Sequence, residues 1–544
     1  KLVFIIMLIM SMIPITMSLM MMMMNMYIII NLPLTTTLSF NITINMLLDW
    51  MSMFFLGAVM IISSIIIMFS YYYIPKPEHK QFLILLLMFV LSMGILIISN
   101  NLFLILLGWD GLGLTSYILV VYYQNFSSAA SGSITILSNR IGDIMILLSI
   151  SLLMMVMNWN FNNNYEFLMI SLILLMIAAC SKSAQFPFSA WLPMAMAAPT
   201  PISALVHSST LVTAGVFLSL RLMNNHPILM IMIMIIASST TMYASMSANW
   251  EQDLKKIIAL STLSQIAMMM FALSINSPLI AFSHLIIHAL FKSTMFLCAG
   301  IMIHESTYQD MRKMGIKNLT LPLTNSILGL TTFALMGVPF MSGFFSKDAI
   351  IESLLATKLN TFNSILMILS IGMTASYSIR MVHIANKSHF KSNTISSNHI
   401  SMESNIPLLL MAPLTITSGS WLTWLLMPEQ NFFMNPMYKF MIMVIMFMGM
   451  TMGFTLSFKN KLFIMLGESS ISLWFSNFLT TILMKTSYPL MWQYLNNDKK
   501  WQEFYGPQKS YLLSMMSSMI PETIKSSTLT FMLLMSMLPL LIMN

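Results

Sequence analysis

Apolar stretches long enough to cross a membrane recur along almost the whole chain. One of them, QFLILLLMFVLSMGILIIS at residues 81–99, is apolar on every face of a helix. We count about fifteen stretches of roughly 20 residues, the length that one helical span needs. They lack the alternation of barrel strands, and lipid leaves backbone groups no water to bind, so they predict helices. We therefore expect an all-α polytopic membrane protein with about 15–16 transmembrane helices.

The composition agrees with a membrane protein and narrows its partners. Of the 544 residues, 58% are hydrophobic and only 8% are charged. The formal net charge of +8 comes from basic residues scattered over short loops, often beside an acid. Such scatter forms no basic patch, so nucleic acid is not a predicted partner. The 64 methionines specify core shape poorly and are typical of an animal mitochondrial gene, in which an additional codon reads as Met.

Motifs for a cofactor or a metal do not accompany these helices. Cys180 and Cys298 stand far apart without a CxxC pattern, and no GxGxxG follows a predicted strand. Thiolate clusters and dinucleotide folds need such patterns, so the sequence predicts no cofactor and no metal on this chain. The first residues, KLVFIIMLIM, lack the features of a removed leader and are predicted to be a membrane helix that stays.

The chain divides into six predicted regions. Two dense sets of helices each contain a Pro-interrupted helix with a lysine near the break, in CSKSAQFPFSAWLP and in LMGVPFMSGFFSKDAI. Corresponding broken helices are typical of transporter repeats, with the site at the breaks. The regions are N-terminal membrane helices at 1–80, a first repeat at 81–228, a second repeat at 229–390, additional membrane helices at 391–490, a lateral amphipathic helix at 491–526 and a final membrane helix at 527–544.

Charges inside apolar helices point to a function, because each costs about 3 kcal/mol on insertion scales. Asp110 has apolar sequence on both sides, and Lys182, at the end of an apolar run, is its predicted partner. Pro187 lacks an N–H and crowds the carbonyl of residue 183. Free carbonyls at such a helix end favour the charged lysine, whereas burial favours the neutral form. The pair is predicted to be a switchable proton site, with a snorkelling lysine as the alternative.

Histidines extend this line of titratable groups. His207 is predicted to relay protons, and a satisfied core histidine is the alternative. His284, His288 and Lys292 recur every four residues and therefore share one helix face. The stripe predicts a proton path through the helix bundle. A zinc site is the rival interpretation, but no acidic or cysteine third ligand accompanies the two histidines.

The second break carries its own charged groups. Lys347 follows this break and is predicted to mirror Lys182. Asp348 and Glu352, on the same stretch, either escort protons to the surface or mark the helix end.

Three further charged residues have more local interpretations. Arg140 and Asp143 lie three residues apart, which predicts an ion pair that is structural or interfacial. Arg221, beside MNNHP, is predicted to mark a helix end.

Several motifs occur in an order that resembles one family, the antiporter-like subunits of respiratory complex I. They are GWDGLGLTSY, SNRIGD, SKSAQFPFSAWLPMAMAAPTPISALVHSSTLVTAGVF, DLKKIIALSTLSQI, HALFKSTMFLCAG and GVPFMSGFFSKDAI. The resemblance covers about residues 45–390, and the amphipathic helix with the final membrane helix extends it to the end of the chain. It implies two inverted five-helix repeats and a hydrophilic axis of titratable groups in the membrane plane.

The resemblance also implies roles and partners. The function it implies is proton translocation in complex I of the mitochondrial inner membrane; a stand-alone cation/proton antiporter subunit and a static scaffold are the alternatives. NADH, FMN, iron–sulfur clusters and ubiquinone are then expected on other subunits, and chains 4 and 2 are expected neighbours. The proton-transferring residues would be the acid and lysine pair Asp110 and Lys182, the central relay His207, His288 and Lys292, and the terminal Lys347.

Two departures from the family pattern concern these implied features. Many relatives carry Glu where this chain has Asp110, which shortens the reach toward Lys182 by one methylene. The tail contains Pro507 and Pro521, so an interruption of the lateral helix is expected near Gly506 and Pro507.

Overall fold

Helices dominate the structure, a computed structural model of the chain. It describes residues 2–36, 41–154, 159–160, 169–222, 226–318, 321–356, 361–386, 402–426, 436–457, 467–468, 476–518 and 531–536. Among these residues, 12 helices are long and apolar enough to span a membrane, and shorter apolar helices lie at Met169–Lys182 and Phe188–Ala197. The predicted class, an all-α polytopic membrane protein, is confirmed.

The first compact unit, Lys1–Trp474, contains the helical bundle. Its described helices are α1 (Leu2–Met24), α2 (Trp50–Tyr73), α3 (His79–Ile98), α4 (Leu102–Val120), α5 (Phe126–Leu153), α6 (Met169–Lys182), α7 (Trp191–Met194), α8 (Thr200–Leu222), α9 (Pro227–Ala248), α10 (Leu254–Ser274), α11 (Pro278–Ser306), α12 (Met311–Asn318), α13 (Pro322–Met336), α14 (Ser342–Ala356), α15 (Thr361–Asn386), α16 (Met402–Leu426) and α17 (Pro436–Leu456).

A β-hairpin lies between α1 and α2, where the sequence predicted only a polar connection. Strands β1 (Ile28–Thr36) and β2 (Asn41–Leu48) pair antiparallel. Asn101, which caps α4, donates a hydrogen bond to the carbonyl of Thr43 on β2 at 2.6 Å. The repeated Thr and Ile residues of this stretch favour strands, and this signal was available in the sequence.

The centre of the bundle is formed by α8, α10 and α11, whose membrane-spanning windows are fully buried. Helix α11 packs against α2, α8, α10, α13, α14 and α16. Charged side chains on α11 therefore face protein rather than lipid, which is the arrangement that membrane proteins use for ionisable groups with a function.

The first helix break follows α6, as predicted, but the chain reverses before Pro187. The N–H of Gln185 donates to the carbonyl of Cys180 at 3.0 Å, and Ala184 adopts a positive φ of 54°. This is the hydrogen-bond pattern of a helix C-terminus closed by a left-handed residue. Lys182 is thus the last residue of a capped half-helix, and the proline acts only after the helix has ended.

At the second break, between α13 and α14, the helix is also closed by a left-handed residue, which here is a glycine. Gly337 has φ 83°, a conformation that costs glycine little because it has no Cβ. The N–H of Val338 donates to the carbonyl of Phe333 at 3.2 Å. Helix α13 therefore ends at Met336 and α14 resumes at Ser342.

The second compact unit, Phe475–Asn544, contains the stretch that the sequence predicts to be a lateral helix. It was predicted at 491–526 with an interruption near Gly506 and Pro507, but α18 (Ser476–Asn496) begins earlier. Helical structure continues through Pro507 to α19 (Lys509–Ser518). The chain therefore stays helical at Pro507, but the α-helix is interrupted there as expected, since Phe504–Gln508 is π-helical.

Parts of the tail and of the region before it lie outside the described residues. These are residues 519–530, including Pro521, and residues 537–544 of the predicted final helix, whose described part, 531–536, is helical. The polar loop at 387–401 is also outside, whereas two helices follow it at α16 and α17, both long and apolar enough to span a membrane.

An ion pair joins the start of α2 to the end of α8. Arg221 donates to both carboxylate oxygens of Asp49, at 2.6 and 2.7 Å. Asp49 also accepts the N–H of Ser52 and so caps α2. Burial raises the pKa of the Asp49 carboxyl, but the hydrogen bonds and the charge of Arg221 outweigh burial and lower this pKa below its usual range. Arg221 marks a helix end, as predicted, since α8 ends at Leu222.

Replacing Arg221 with Met is expected to destabilise the fold by about 1–3 kcal/mol, because Asp49 then keeps a largely buried charge without its charged partner and with only the Ser52 N–H as donor. Thermal unfolding of the purified protein in its complex measures the effect. The pair should contribute fully above about pH 4 and lose its contribution as the pH falls through the lowered pKa of Asp49. The double variant Arg221→Met with Asp49→Asn should recover most of the loss, and an unchanged R221M protein at pH 7 contradicts the assignment.

Replacing Gly343 with Ala is expected to disrupt the second break. A Cβ on Gly343 would overlap the backbone carbonyl of Ala334, which cannot rotate away, and such overpacking costs about 1–3 kcal/mol or more. Gly329→Ala on α13 is the matched control, because nothing lies within 4 Å of its Cβ position. Thermal stability of the two variants tests the difference, and equal stability refutes the close approach of α13 and α14.

Candidate proton-transfer site

Lys182 is fully buried but does not contact the carboxylate predicted for it. Its Nζ donates to the backbone carbonyl of Trp109 at 2.8 Å and lies 4.4 Å from the centre of the Trp109 ring. Asp110 instead pairs with Arg140 at 3.4 Å. Consecutive residues of a helix point about 100° apart, so the residue before Asp110 faces Lys182. The sequence left open whether Asp110 touches Lys182 directly, and the structure shows that it does not: Lys182 contacts the backbone of α4, and Asp110 acts on it only through space.

Arg140 connects two acids beside Lys182. Its Nη1 lies 3.0 Å from Asp143 and 3.4 Å from Asp110. The ion pair of Arg140 with Asp143 is confirmed, but the sequence did not show that it extends to Asp110. Lys182 interacts electrostatically with both acids, and more strongly with Asp143 than with Asp110. We call Asp110, Arg140, Asp143 and Lys182 the entrance cluster; it holds two acids and two bases.

His207 lies within a π-helical stretch of α8, Ser203–Thr210. Its side chain is buried, and among the described residues neither ring nitrogen has a hydrogen-bond partner. A buried polar atom without a partner is costly unless water or another group serves it. The described surroundings therefore do not support the alternative of a satisfied core histidine, and π-helical turns are frequent at functional sites.

His284 and Lys292 each contact a polar residue of α10. His284 Nε2 is 3.3 Å from Gln265 Oε1, and Lys292 Nζ donates to Ser261 Oγ at 2.5 Å. The other ring nitrogen of His284 is 2.8 Å from Ser346 Oγ on α14. All five side chains are buried. These contacts join α10, α11 and α14 in one polar layer.

His288 lies between these two residues on α11 but is not part of their hydrogen-bond pattern. Its ring centre is 6.3 Å from that of His284, and within the described chain both of its nitrogens are buried without a partner. The predicted stripe on one face of α11 is therefore present, while the hydrogen bonds of its two ends go to other helices.

Lys347 is buried and donates to the carbonyl of Leu335 at 2.5 Å. Leu335 belongs to the last turn of α13, where carbonyls lack helical partners and carry the negative end of the helix dipole. The two breaks thus differ. Lys182 precedes its break and reaches a neighbouring helix, whereas Lys347 follows its break and reaches back to the half-helix before it.

The two acids after Lys347 lead away from the buried layer. Glu352 forms an ion pair with Lys439 of α17 at 3.0 Å, and the Lys439 side chain is 55% exposed. Asp348 interacts electrostatically with Glu352, Lys347 and Lys439. Asp348 lies in the middle of α14, so marking a helix end does not account for it.

Several buried polar residues of α10, α14 and α15 were not singled out from the sequence. They are Lys255, Ser261, Gln265, Ser346 and Tyr377, all buried. Lys255 donates to the carbonyl of Ala198 at 3.0 Å and lines a cavity of about 730 Å³. In the sequence, Lys255 follows a loop and resembles an ordinary interfacial charge. The serines and Gln265 were detectable only as polar residues in a helix that is apolar on most faces.

Metal-ligating groups do not gather at this site. Within the parts of the chain that the structure describes, no three His, Cys, Asp or Glu side chains lie close enough together to hold a metal ion.

Two solved structures share the fold. The Mrp complex from Dietzia sp. DQ12-45-1b matches with a TM-score of 0.64 and 20% identity, over 97% of this chain and 59% of that chain. The membrane-bound sulfane sulfur reductase, an archaeal respiratory membrane complex, matches with a TM-score of 0.66 and 20% identity, over 84% of this chain and 95% of that chain. At this identity the likeness is one of fold.

Sequence comparisons reach further than fold. Residues 99–374 match the family described as NADH:quinone oxidoreductase/Mrp antiporter, TM, and residues 377–544 match NADH dehydrogenase subunit 5 C-terminus. NADH-ubiquinone oxidoreductase chain 5 of Aedes aegypti is 40% identical over 529 residues, 93% of this chain and 91% of the relative. Chain 5 of Locusta migratoria is 40% identical over 524 residues, 90% of each chain. The chain therefore belongs to the NADH-ubiquinone oxidoreductase chain 5 family of antiporter-like membrane proteins.

Proposed function

We propose that this chain translocates protons across the mitochondrial inner membrane as a subunit of NADH:ubiquinone oxidoreductase, driven by electron transfer in other subunits. One observation carries the proposal. The lysines at both breaks and on α11 are buried, and each Nζ donates to a neutral oxygen instead of a carboxylate. Burial without an ion pair makes the charged form costly. A modest change in the surroundings therefore decides whether such a lysine keeps its proton.

The entrance cluster sets the charge of Lys182. Asp143 and Asp110 favour the protonated lysine, and Arg140 opposes it. Movement of Arg140 between the two acids changes the field at Lys182 without a change in covalent structure. A signal from the quinone end of the complex that shifts this arginine makes Lys182 bind or release its proton.

The released proton passes along the histidines. His207 and His288 each have ring nitrogens without protein partners, and a neutral imidazole accepts a proton on one nitrogen and gives it up from the other. Water molecules that bridge these nitrogens complete the path, since hydrogen bonds through ordered water are nearly as favourable as direct ones. Lys292 is the next group that holds the proton.

Repulsion then drives the last transfer. Lys292 and Lys347 interact electrostatically as like charges, so a proton that arrives on Lys292 favours its loss from Lys347. Asp348 and Glu352 escort this proton toward the exposed Lys439. The work against the membrane potential is about 2.3 kcal/mol per 100 mV, which corresponds to less than two units of change in a lysine pKa.

The remaining parts of the proposal concern architecture and partners. We assign the two inverted repeats to residues 81–228 and 229–390. NADH, FMN, iron–sulfur clusters and ubiquinone bind to other subunits of the complex. Chains 4 and 2 are the proposed neighbours, with the helix that begins at α18 lying along them. Mitochondrial encoding fits the methionine content of 64 residues.

Replacing Lys182 or Lys292 with Met is expected to slow coupled proton transfer about 100-fold, the scale at which removal of a general acid or base acts. The measurement is the ratio of protons translocated to NADH oxidised, in the complete complex reconstituted into liposomes with a pH-sensitive dye. Lys80→Met is the control, because Lys80 is exposed at the start of α3, and its ratio should stay normal.

Assembly is checked separately by native gel electrophoresis. A normal ratio of protons to NADH in an assembled Lys182→Met complex contradicts the proposal and favours a static scaffold. Proton exchange against a metal cation without NADH oxidation favours the stand-alone antiporter, the alternative that the fold shared with the Mrp complex makes worth testing.

A further inference from the structure

Helix α15 places a tyrosine in the polar layer between α10 and α11. Tyr377 is only 2% exposed. Its hydroxyl lies against the side chains of Ser264, Gln265 and Ser261, yet within the described chain it makes no hydrogen bond of ordinary geometry. Burying a hydroxyl without a fixed partner costs free energy. A phenylalanine would fill the same space without the cost of burying a hydroxyl. We therefore expect the hydroxyl group itself to have a function.

The neighbours of this hydroxyl serve two different titratable groups. Ser261 accepts the hydrogen bond of Lys292, and Gln265 accepts that of His284. Ser261 and Gln265 are one turn apart on α10, so their side chains lie one above the other on the same helix face. Tyr377 is therefore located between the acceptor of Lys292 and the acceptor of His284.

A direct path along α11, from Lys292 through His288 to His284, has no comparable hydrogen bonds among the described residues. His288 separates Lys292 from His284 in the sequence, but within the described residues its nitrogens have no partner. The route through α10 runs instead from Lys292 to Ser261, then past Tyr377 to Gln265 and His284, and on to Ser346 beside Lys347. Each of its links except the two at Tyr377 is an observed hydrogen bond or covalent neighbour.

The hydroxyl of Tyr377 has one proton to donate, and of its three polar neighbours only two, Ser261 and Gln265, are bonded to titratable groups. While Lys292 is charged, Ser261 Oγ accepts from its ammonium group and donates its own proton to the carbonyl of Ile258 at 2.7 Å. The hydroxyl of Tyr377 then donates to Gln265. When Lys292 loses its proton, Ser261 Oγ becomes the freer acceptor and the hydroxyl turns toward it.

The acceptor that the Tyr377 hydroxyl bonds affects how His284 is hydrogen-bonded. Gln265 Oε1 accepts from His284 Nε2, which leaves Nδ1 as the acceptor for Ser346. With the hydroxyl of Tyr377 on Gln265, the amide oxygen is shared and holds the histidine more weakly. With the hydroxyl on Ser261, Gln265 holds the neutral tautomer of His284 that is protonated on Nε2. The orientation of one hydroxyl thus transmits the charge of Lys292 to His284.

We propose that Tyr377 is a positioning residue that couples the protonation of Lys292 to His284 through Ser261 and Gln265. The inference rests on the proposed function, since it assumes that protons pass through Lys292. On this proposal, Lys292 on α11 is connected to the second break by the hydroxyl of Tyr377 on α15 as well as by the histidines of α11.

The test is Tyr377→Phe in the complete complex, which removes the hydroxyl and keeps the ring. Turnover coupled to proton translocation should fall roughly three- to ten-fold, the effect of losing one hydrogen bond in a rate-limiting proton transfer. The solvent isotope effect in D2O should rise, and the pH profile of turnover should shift. Tyr243→Phe is the control, because Tyr243 on α9 also has a buried hydroxyl without a described hydrogen bond but contacts neither Lys292 nor His284.

A second variant tests the route. Ser261→Ala should produce the same isotope effect and pH shift, and the double variant should be no slower than the slower single variant if both residues act in one path. If Tyr377→Phe does not assemble, Gln265→Met, which removes the amide at similar length, is measured in its place with the same expected shifts.

Three outcomes overturn the coupling. The first is a Tyr377→Phe complex that matches the wild type in turnover, isotope effect and pH profile. The second is a Tyr377→Phe complex that is slower by an equal factor at every pH and has an unchanged isotope effect. The third is a double variant in which the losses of turnover of the two single variants add. Lys292→Met separates this failure from that of the proposed function. If Lys292→Met abolishes pumping while these results hold, only the role of Tyr377 is wrong; if Lys292→Met pumps normally, the proposed function fails as well.

Discussion

The charge of a buried lysine is the constraint on which the structure of this site depends. An ammonium group in a membrane bundle needs an acceptor, but a carboxylate in contact would hold the proton too firmly for transfer. Lys182, Lys255 and Lys347 solve this with backbone carbonyls. The dipole of such a carbonyl lowers the free-energy cost of burying the ammonium group. The helix still stabilises the carbonyl when the lysine loses its proton. These three lysines are therefore buried with a neutral acceptor, as the proposed exchange of their protons requires.

At the second break the acceptor depends on where a helix ends. A carbonyl inside a helix is already bonded, whereas the last turn offers carbonyls without partners. The second break provides one at Leu335, and the left-handed Gly337 makes the end compact enough for Lys347 to reach back to it. At the first break the lysine terminates the half-helix, and its acceptor belongs to α4. The second break therefore provides an acceptor for its lysine as well as a turn of the chain, whereas Lys182 uses a carbonyl from the interior of α4.

The sequence predicted the spans, the two breaks and the buried lysines, because apolar length and misplaced charge are local properties of a stretch. It did not predict which acceptor each lysine finds, because that depends on the rotation of neighbouring helices. Asp110 illustrates the difference: it was the only acid in its helix, yet the preceding residue faces Lys182. Tyr377 was overlooked for a related reason, since a tyrosine in an apolar helix gives no sign of what its hydroxyl meets.

The charged groups at the two ends of the site are partly exposed, whereas the titratable groups at its centre are buried. At one end, Arg140 and Asp110 have side chains that are 46% and 37% exposed; at the other, Lys439 is 55% exposed and pairs with Glu352. Between them His207, His284, His288 and Lys292 are buried, and none of them forms an ion pair with a carboxylate of the described residues. Neighbouring protein can therefore alter the fields at the two ends but has no direct access to the centre. Among the described residues the centre holds no fixed counter-charge, so under the proposed function a change of charge at either end acts on the centre, and a signal at the entrance cluster can reach Lys347 without large helix movements.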